Sequence, residues 1–357
     1  MGGSDRVFQY ICEEFPEADT YTLAHNRGRA LPYFLSRNIR TTWMNRFVQS
    51  MEASRWAFPI STYVMESLDL SRYDIVLSSS AHVAKYVHVP NGIHICYCYI
   101  PTRAIWHLEE YFGGSIKGAF FKLALPYLRR RDYAAAQRID RFISISKASQ
   151  EYIRQYYDRD SEVISSPVDL DRFSPSGGRK DHYLIVSRLE HWKRVDYGIE
   201  AFNKLGLPLR VVGTGKEEQR LKAMAKPNIS FLGPVDDESL AREYREARAV
   251  IFTPQLEYGL IPLEANASGT PVICYGKGGI TETMVPLEDA KNSGGSAPTA
   301  VFFYEQTADA LVAAVRRFQD ANFNAGDLVR HAQRWGVPTF KQSIRRAVER
   351  YQETKVS

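Results

Sequence analysis

The second half of the chain alternates short apolar runs with amphipathic stretches in a regular way. The apolar runs predict six buried strands, over residues 183–187, 209–213, 229–232, 250–252, 272–275 and 300–303. Apolar residues at helical spacing predict helices between them, over 194–205, from 217 onward and over 237–247. Because strands alternating with helices are typical of βαβ units, this half is predicted to form a parallel sheet covered by helices.

The first half of the chain has a less regular pattern. Its apolar runs predict strands over 19–23, 73–80, 93–100 and 141–145. An amphipathic helix is predicted over 6–15, and Ser146 is predicted to cap a helix that runs to residue 157. Residues 37–68 are mixed and aromatic and predict no single element. Turn-forming residues are concentrated over 165–178, which we interpret as a linker between two domains.

The length of the chain supports a two-domain organisation. Its 357 residues exceed what a single hydrophobic core usually holds. A last helix is predicted over 338–352, where Phe340, Ile344, Val348 and Tyr351 recur at helical spacing. We therefore predict an α/β protein with domains over 1–167 and 168–337 and a terminal helical segment over 338–357.

Composition and charge exclude several classes of protein. The apolar fraction of 44% and the charged fraction of 24% are those of a soluble globular chain. The net charge of +5 suits an anionic substrate or an acidic membrane surface and is too small to indicate nucleic-acid binding. No run approaches the roughly 18 apolar residues of a membrane-spanning helix.

The four cysteines indicate a reducing compartment and no metal site. Cys96 and Cys98 alternate with apolar residues, so they are predicted to share one face of a strand. No second cysteine pair or histidine pair accompanies them at zinc spacing. Free thiols and the lack of a secretory leader predict a cytoplasmic protein.

The stretch 253–275 is the candidate centre of the chemistry. It reads as a tight loop after the strand over 250–252, a short helix that Pro262 opens and Gly269 ends, and the next strand. The amino end of such a helix suits an anion. Glu257 is predicted in the loop and Glu264 in the first helical turn, both facing one opening. The alternative for Glu264 is a dipole-complementing carboxylate, a role that contributes about 0.3–1 kcal/mol.

Two further loops follow predicted strands of the second half. Arg188 and Lys193 come after the strand over 183–187, where two cations can clamp a pyrophosphate. The alternative is a solvated basic loop. Gly213 and Gly215 follow the strand over 209–213 and would let a ligand approach the backbone closely.

These motifs occur in a fixed order along the chain. They are SRL-x3-K, GTG, FLGPV, E-YGLIPLEA-x-A-x-GTPV and GKGGITE. The first half contains GGSDRV, FPEADTYTL, YDIVLSSS, HICYCYIPTRAIW and SSPVDLDRFSP. The sequence resembles the retaining glycosyltransferases of family four, in their bacterial surface-polysaccharide branch, over nearly its whole length.

The resemblance implies the GT-B fold, with two Rossmann-like domains and a cleft between them. The domain over 1–167 would bind the acceptor, and the domain over 168–337 would bind a nucleotide sugar. The terminal helix over 338–357 would cross back onto the N-terminal domain. In the family a strand precedes the position of Gly2, so either the native chain begins upstream or the sheet begins differently.

The resemblance also implies roles for individual residues. Arg188 and Lys193 would hold the diphosphate of the donor, and Glu264 would bind the ribose hydroxyls. Glu257 and Tyr99 would face the transferred sugar. Backbone contacts to the donor would come from the remaining positions: Gly2, Gly3, Gly213, Gly215, Gly233, Val235, Gly259, Leu260 and Ile261.

The sequence departs from the family pattern at two of these positions. The family spaces its two glutamates by seven residues, whereas six residues separate Glu257 from Glu264, so Leu256 holds the usual first position. The family usually has histidine where this chain has Tyr99. Tyrosine can donate a hydrogen bond but carries no charge near neutral pH.

The resemblance implies transfer of a hexose, with retention of configuration, to an acceptor hydroxyl in cell-surface polysaccharide synthesis. The donor would be UDP-glucose or GDP-mannose, with no cofactor and no metal ion, and the acceptor a sugar or a lipid-linked saccharide. Two alternatives are a nucleotide-sugar-binding protein with little or no catalysis and a nucleotide-sugar epimerase of the same architecture.

The stretch 115–137 mixes aromatic and aliphatic residues with basic ones, including Lys117, Phe120, Phe121, Lys122 and Arg129. One interpretation is a helix that packs on its own domain and exposes a basic face. The other is a peripheral contact with the inner face of the plasma membrane, where a lipid-linked acceptor would lie.

Overall fold

The computed structural model describes residues 3–48, 57–107, 116–175, 181–289 and 297–356, with backbone only over 116–121 and 354–356. The chain forms two compact units. The first comprises Met1–Ser166 with Phe340–Ser357, and the second comprises Pro167–Thr339. Each unit is an α/β structure in which the strand pairs are parallel.

The first unit contains two parallel sheets within its described residues. A small sheet pairs β1 with β2, and a larger sheet has the order β3-β4-β5-β6. The strands are β1 (Thr20–Thr22), β2 (Ile39–Thr41), β3 (Ile75–Ser80), β4 (Ile93–Cys98), β5 (Arg141–Ser144) and β6 (Ser161–Val163). Cys96 and Cys98 are fully buried and pack in the same apolar cluster, which confirms that they share one face of β4.

The helices of the first unit alternate with these strands along the chain. The α-helices are Gly3–Glu14, Pro32–Ser36, Phe58–Glu66, Arg103–Trp106, Ile116–Gln137 and Lys147–Tyr157, and the 3-10 helices are Arg27–Arg29, Trp43–Arg46 and Ala84–Tyr86. The hydroxyl of Ser146 accepts a hydrogen bond from the Ser149 amide, which confirms its predicted capping role.

The terminal helix Val337–Val356 contributes most of its length to the first unit. The Phe340 ring packs edge to face on Tyr97, with ring centroids 5.7 Å apart. The ammonium group of Lys341 lies 2.7 Å from a carboxylate oxygen of Glu13 in the first helix. The ring contact thus joins the terminal helix to β4, and the ion pair joins it to the first helix, all within one unit.

The second unit has one described parallel sheet, with the order β12-β11-β10-β7-β8-β9. Its strands are β7 (Tyr183–Val186), β8 (Leu209–Val212), β9 (Ile229–Gly233), β10 (Val250–Phe252), β11 (Val272–Tyr275) and β12 (Ala300–Phe303). Strands that follow each other along the chain are neighbours except at one place. From β7 the strand order runs outward through β8 to β9, and from β10 it runs outward the opposite way to β12. The boundary between β7 and β10 is therefore the topological switch point of a doubly wound fold.

The helices of the second unit cover both faces of this sheet. They are Val195–Leu205, Glu218–Met224, Asp237–Glu246, Leu260–Ala267, Ile280–Thr283, Ala308–Gln319 and Ala325–Ala332, with 3-10 helices His191–Lys193, Leu287–Asp289 and Gln333–Trp335. Successive residues of β10 point into opposite cores, because Ile251 joins one apolar cluster and Val250 and Phe252 join the other. A sheet buried on both faces explains why its strands read as continuous apolar runs.

The predicted strands of the second half are confirmed, and those over 250–252, 272–275 and 300–303 have the predicted bounds. In the first half, β2, β6 and the helices Pro32–Ser36, Phe58–Glu66 and Arg103–Trp106 went unpredicted. The sequence of β2 is Ile39-Arg40-Thr41, which is too short to show an alternation of apolar and polar positions.

The predicted linker over 165–178 contains the boundary between the two units, which falls between Ser166 and Pro167. Part of this stretch packs in the second unit, and residues 176–178 lie outside the described residues. Val168 and Phe173 are 1% and 2% exposed and belong to an apolar core of that unit. The carboxylate of Asp169 accepts a hydrogen bond from the Arg172 amide, which forms a local turn. Among the described helices, none is both long and apolar enough to cross a lipid bilayer.

Candidate functional site

The loops that follow β7 and β10 lie side by side at the switch point of the second unit. Val250 of β10 pairs with Leu184 of β7, so the carboxyl ends of the two strands reach the same edge of the sheet. In open α/β sheets this edge is where ligands bind. The two loops carry Arg188, Lys193 and Glu257, so the fold brings these three predicted residues to one edge of one sheet.

The loop after β7 is anchored through Leu189. This side chain is fully buried, and its amide donates a hydrogen bond of 2.9 Å to the carbonyl oxygen of Thr214. Its own carbonyl oxygen accepts a hydrogen bond from the Glu217 amide, also at 2.9 Å. Arg188, the preceding residue, is exposed. A buried anchor thus fixes the base of an exposed arginine.

Trp192 lies against both predicted cations. The Lys193 ammonium nitrogen is 4.1 Å from the centroid of the indole ring, and the Arg188 guanidinium carbon is 5.5 Å from it. Both distances are within the range of cation–π attraction. Trp192 was not predicted as a site residue, although a tryptophan between two basic residues in a short polar loop was the available signal.

The loops after β7 and β10 are joined by Thr253. Its hydroxyl donates a hydrogen bond of 3.0 Å to the carbonyl oxygen of Lys193. Its carbonyl oxygen accepts a hydrogen bond of 2.9 Å from the side-chain amide of Gln306, and the residue is 2% exposed. Thr253 therefore holds Lys193 against the start of the loop that carries Glu257.

The loop that carries Glu257 packs on the glycine-rich turn after β11. The Gly279 amide donates a hydrogen bond of 2.8 Å to the carbonyl oxygen of Leu256. A Cβ atom at Gly279 would lie 1.9 Å from the carbonyl oxygen of Glu257, and one at Gly278 would lie 2.4 Å from that of Leu256. These glycines let two stretches of backbone touch, and this contact fixes the position of the half-buried Glu257.

The helix after this loop begins two residues earlier than predicted. It spans Leu260–Ala267 with Gly259 at its N-cap, so Pro262 occupies the third helical position instead of the first. The prediction for Pro262 was wrong, but proline is tolerated there because the first amides of a helix have no intrahelical partner. Leu260 and Ile261 are half-buried, and Gly269 follows the helix with a left-handed φ of +71°, as expected for a helix end.

Glu264 lies in the second turn of this helix, since the first turn contains no acidic residue. The interpretation of Glu264 as a dipole-complementing carboxylate in the first turn is therefore wrong. Its Oε2 atom instead accepts a hydrogen bond of 2.7 Å from the hydroxyl of Tyr244. The specific partner of this carboxylate could not be read from local sequence.

Gly213 and Gly215 are needed for contacts within the protein. A Cβ atom at Gly213 would lie 1.9 Å from the carbonyl oxygen of Ser187, and one at Gly215 would lie 2.2 Å from that of Leu189. The backbone that approaches these two glycines is therefore the loop that carries Arg188. Their predicted contact with a donor stays a prediction.

The predicted backbone contacts after β9 lie beside this loop. The Gly213 amide donates a hydrogen bond of 2.8 Å to the carbonyl oxygen of Gly233, whose φ of +70° ends the strand. Val235 is half-buried and packs on one apolar core of the unit. The loops after β7, β8 and β9 thus form one continuous hydrogen-bonded edge.

Two of the predicted residues with described structure lie in the first unit. The hydroxyl of Tyr99 donates a hydrogen bond of 3.1 Å to the carbonyl oxygen of Ser4 and lies 3.0 Å from the hydroxyl of Ser79. Burial raises the pKa of Tyr99, so its hydroxyl stays neutral near pH 7. Gly3 is exposed at the first position of its helix. Gly2 lies outside the described residues.

The first unit also contains a buried ion pair that the sequence analysis missed. The Lys85 ammonium lies 2.8 Å from Oδ1 of Asp132, and both side chains are almost fully buried. The hydroxyls of Tyr86 and Tyr157 donate to the same carboxylate at 2.5 and 2.6 Å. Burial alone would raise the pKa of Asp132, but Lys85 and these hydrogen bonds hold it below its usual value.

Family models match the chain in two segments. The model described as Glycosyltransferase Family 4 matches residues 1–172, and the model described as Glycosyl transferases group 1 matches residues 169–335. The chain is a glycosyltransferase of the family-four type. The two matches together cover residues 1–335, so the family assignment rests on both units and leaves out only the terminal helix.

Two sequence relatives illustrate the range of this family. The D-inositol 3-phosphate glycosyltransferase of Geodermatophilus obscurus is 28% identical over 233 residues, which are 49% of this chain and 52% of that protein. The D-rhamnosyltransferase WbpZ of Pseudomonas aeruginosa is 26% identical over 155 residues, 38% of this chain and 40% of that protein. The chain spans about half the length of the curated relatives it matches.

Solved structures show that this family-four glycosyltransferase has the GT-B fold. Sucrose-phosphate synthase from Thermosynechococcus elongatus matches with a TM-score of 0.78 at 17% identity, covering 99% of this chain and 94% of that one. HepE from Anabaena, in complex with UDP and glucose, matches with a TM-score of 0.70 at 16% identity, covering 98% and 96%. At these identities the likeness concerns the fold alone.

Proposed function

We propose that this protein transfers a hexose from a nucleoside-diphosphate sugar to an acceptor hydroxyl, with retention of configuration. The observation that carries the proposal is the arrangement of Arg188 and Lys193 around Trp192 at the switch point of the second unit. A pair of cations held at that edge, against the start of the loop that leads into the helix Leu260–Ala267, suits a diphosphate.

The proposed chemistry follows from charge. Departure of the nucleoside diphosphate builds negative charge on its phosphate oxygens, and the anomeric carbon gains positive character. Arg188, Lys193 and the amides at the helix start would stabilise the departing charge more than the ground state, which lowers the barrier. The acceptor hydroxyl would attack on the same face and give its proton to the departing phosphate oxygen. The proposed reaction uses no cofactor and no metal ion.

The proposed donors are UDP-glucose and GDP-mannose. UDP-glucose is favoured by the likeness to HepE, which was crystallised with UDP, with UDP and glucose, and with UDP-glucose. The likeness to a D-rhamnosyltransferase and to a D-inositol 3-phosphate glycosyltransferase supports transfer of a sugar without choosing the base. In this proposal Glu264 binds the ribose hydroxyls and Glu257 faces the transferred sugar.

We place the acceptor among lipid-linked saccharides of surface-polysaccharide synthesis, on the cytoplasmic face of the membrane. The helix Ile116–Gln137 supports this proposal by its surface. Leu123 is 82% exposed and Tyr127 is 54% exposed, and Arg129 and Arg130 are exposed beyond them. Leu128 of the same helix is buried against Phe58, so this helix also packs on its own unit. The side chains of Lys117, Phe120 and Phe121 lie outside the described residues.

Two assays test the proposal. Incubation with UDP-glucose or GDP-mannose and a polyprenyl-linked saccharide should release the nucleoside diphosphate and extend the acceptor. Donor binding without any release would favour the alternative of a nucleotide-sugar-binding protein, to which Tyr99 and the shortened glutamate spacing point. Sedimentation with anionic vesicles should carry the protein down, and a Leu123→Ser variant should bind less. Absence of sedimentation would discard the membrane contact.

A further inference from the structure

Tyr244 and Glu264 form a buried contact inside the second unit. The phenol hydroxyl donates a hydrogen bond of 2.7 Å to Oε2 of Glu264. Tyr244 has no exposed surface, whereas Glu264 is half-buried. The carboxylate is therefore held by the protein interior on one side, while the residue as a whole still reaches the surface.

Further contacts hold the tyrosine in place. Its ring packs edge to face on Phe173, with centroids 5.4 Å apart and planes at 87°. The hydroxyl of Thr270 donates a hydrogen bond of 2.7 Å to the carbonyl oxygen of Tyr244. Thr270 is fully buried and Phe173 is 2% exposed. The phenol therefore has little freedom to follow a carboxylate that moves.

Tyr244 is a permanent donor to this carboxylate. Burial, and after it the negative charge of Glu264, raise the pKa of Tyr244 well above its usual value, which Arg172 opposes only in part. The hydroxyl is therefore protonated throughout the physiological pH range. Hydrogen bonds to a charged acceptor are stronger than those between neutral groups.

We propose that Tyr244 is a positioning residue that orients the Glu264 carboxylate and so sets the preference of the enzyme for ribose over deoxyribose in its donor. The inference rests on the proposed function, in which Glu264 binds the ribose hydroxyls. A glutamate side chain has several rotatable bonds, and fixing it beforehand removes a cost from ligand binding. A carboxylate has about four lone-pair acceptor sites. When the Tyr244 hydroxyl occupies one of these sites, the whole carboxylate is held in one orientation, and its other acceptor sites point in fixed directions.

The test is a cycle that combines a protein change with a ligand change. UDP, GDP and their 2′,3′-dideoxy forms are titrated into the wild type and into Tyr244→Phe. The wild type should prefer the ribose form by roughly tenfold or more, as expected for hydrogen bonds to a charged group. In Tyr244→Phe this preference should fall to within about threefold, because the carboxylate is no longer held in one direction.

Tyr157→Phe is the matched control. Tyr157 is also fully buried and donates to a carboxylate, Oδ2 of Asp132, at 2.6 Å, but it lies in the first unit. Both variants lose a buried hydroxyl and should melt at a lower temperature than the wild type. Only Tyr244→Phe should lose the preference for ribose.

Each outcome bears on the proposal. A Tyr244→Phe variant that keeps the wild-type ratio between ribose and dideoxyribose forms would overturn the positioning role and leave the proposed function standing. An equal loss of preference in Tyr157→Phe would also overturn it, since the effect would then follow from stability alone. A wild type that binds neither diphosphate would overturn the inference together with the proposed function.

Discussion

The hydroxyl of Thr253 donates a hydrogen bond of 3.0 Å to the main-chain carbonyl oxygen of Lys193. The two residues are sixty positions apart in the sequence: Thr253 directly follows β10, and Lys193 lies in the loop after the neighbouring strand β7. Through this contact the loop after β10 fixes the backbone that carries the candidate phosphate-binding lysine. The site thus depends on buried polar contacts as well as on the exposed Arg188 and the half-buried Lys193.

The first prediction concerns this hydrogen bond. Thr253→Val keeps the shape of the side chain but leaves the Lys193 carbonyl oxygen without this donor, a change that costs about 1–3 kcal/mol where the group is buried. We expect weaker binding of UDP or GDP by calorimetry and a lower melting temperature. Thr253→Ser keeps the hydroxyl and should bind nearly as the wild type does. Equal affinities of the Val and Ser variants would contradict the prediction.

The second prediction concerns Trp192. Trp192→Leu removes the ring that both Arg188 and Lys193 contact, and each lost cation–π contact is worth about 0.5–1 kcal/mol at exposed positions. We expect affinity for the diphosphate to fall by roughly tenfold, while the melting temperature changes little because Trp192 is only half-buried.

Trp192→Phe keeps an aromatic face and is the control for this change. Its affinity should lie between those of the wild type and Trp192→Leu. If the leucine variant binds as tightly as the phenylalanine variant, the ring does not organise the cations and the prediction is wrong.

The third prediction concerns Gly215. The backbone φ of this residue is outside the left-handed region, so an alanine would be unfavourable only through its Cβ, which would lie 2.2 Å from the carbonyl oxygen of Leu189. Gly215→Ala should displace the loop of Arg188, destabilise the unit by about 1–3 kcal/mol and weaken diphosphate binding.

Gly206→Ala is the control, since Gly206 has a φ of +68° and open space around the added atom. It should lose about 1–2 kcal/mol of stability through backbone strain, with unchanged affinity for UDP or GDP. Chemical denaturation and calorimetry measure both quantities. Loss of affinity in both variants alike would show that the steric argument for the Arg188 loop is wrong.

The fourth prediction concerns His94, which is 2% exposed and lies 2.8 Å from the hydroxyl of Ser78. Burial lowers the pKa of His94 from 6.5 to about 4, against the opposing charge of Asp140 and with Arg138 acting in the same direction as burial. Between these two values the unfolded chain binds a proton that the folded chain does not. The free energy of unfolding is therefore unaffected by His94 above pH 6.5. As the pH drops from 6.5 towards 4 it decreases, and this residue accounts for about 3 kcal/mol of the decrease.

His94→Gln offers a polar side chain that does not titrate. Between pH 7.5 and 4.5 its free energy of unfolding should decline less steeply than that of the wild type, when both are measured by urea denaturation. Parallel curves for the two proteins would refute the assignment of this pH dependence to His94.

Sequence pattern was sufficient for the strands of the second unit and for the loops that carry its candidate site. Those strands are buried on both faces, so apolar runs mark them directly, and the residues after their carboxyl ends meet because the sheet is parallel. Arg188, Lys193 and Glu257 could be placed at one edge of the sheet on that ground.

The partners of these residues could not be predicted in the same way. Tyr244 reaches Glu264, and Thr253 reaches Lys193, across 20 and 60 positions of sequence. Such contacts depend on how helices and loops pack, which no local pattern encodes. Glu264 also lies two helical positions later than predicted, in the second turn instead of the first, because the helix begins at Leu260 and not at Pro262.

The central claim is that Lys193 and Arg188 grip a diphosphate leaving group, and a Lys193→Ala variant tests it most directly. Lys204→Ala is the control, because Lys204 pairs with Asp309 on the exposed surface of a helix in the same unit. Diphosphate affinity and donor turnover are measured for the wild type and both variants, with the melting temperature of each unliganded protein. We predict that Lys193→Ala lowers both the affinity for the diphosphate and the turnover of the donor at least tenfold, and each tenfold loss corresponds to about 1.4 kcal/mol. The melting temperature of this variant should be unchanged. Wild-type affinity and turnover in Lys193→Ala would contradict the account.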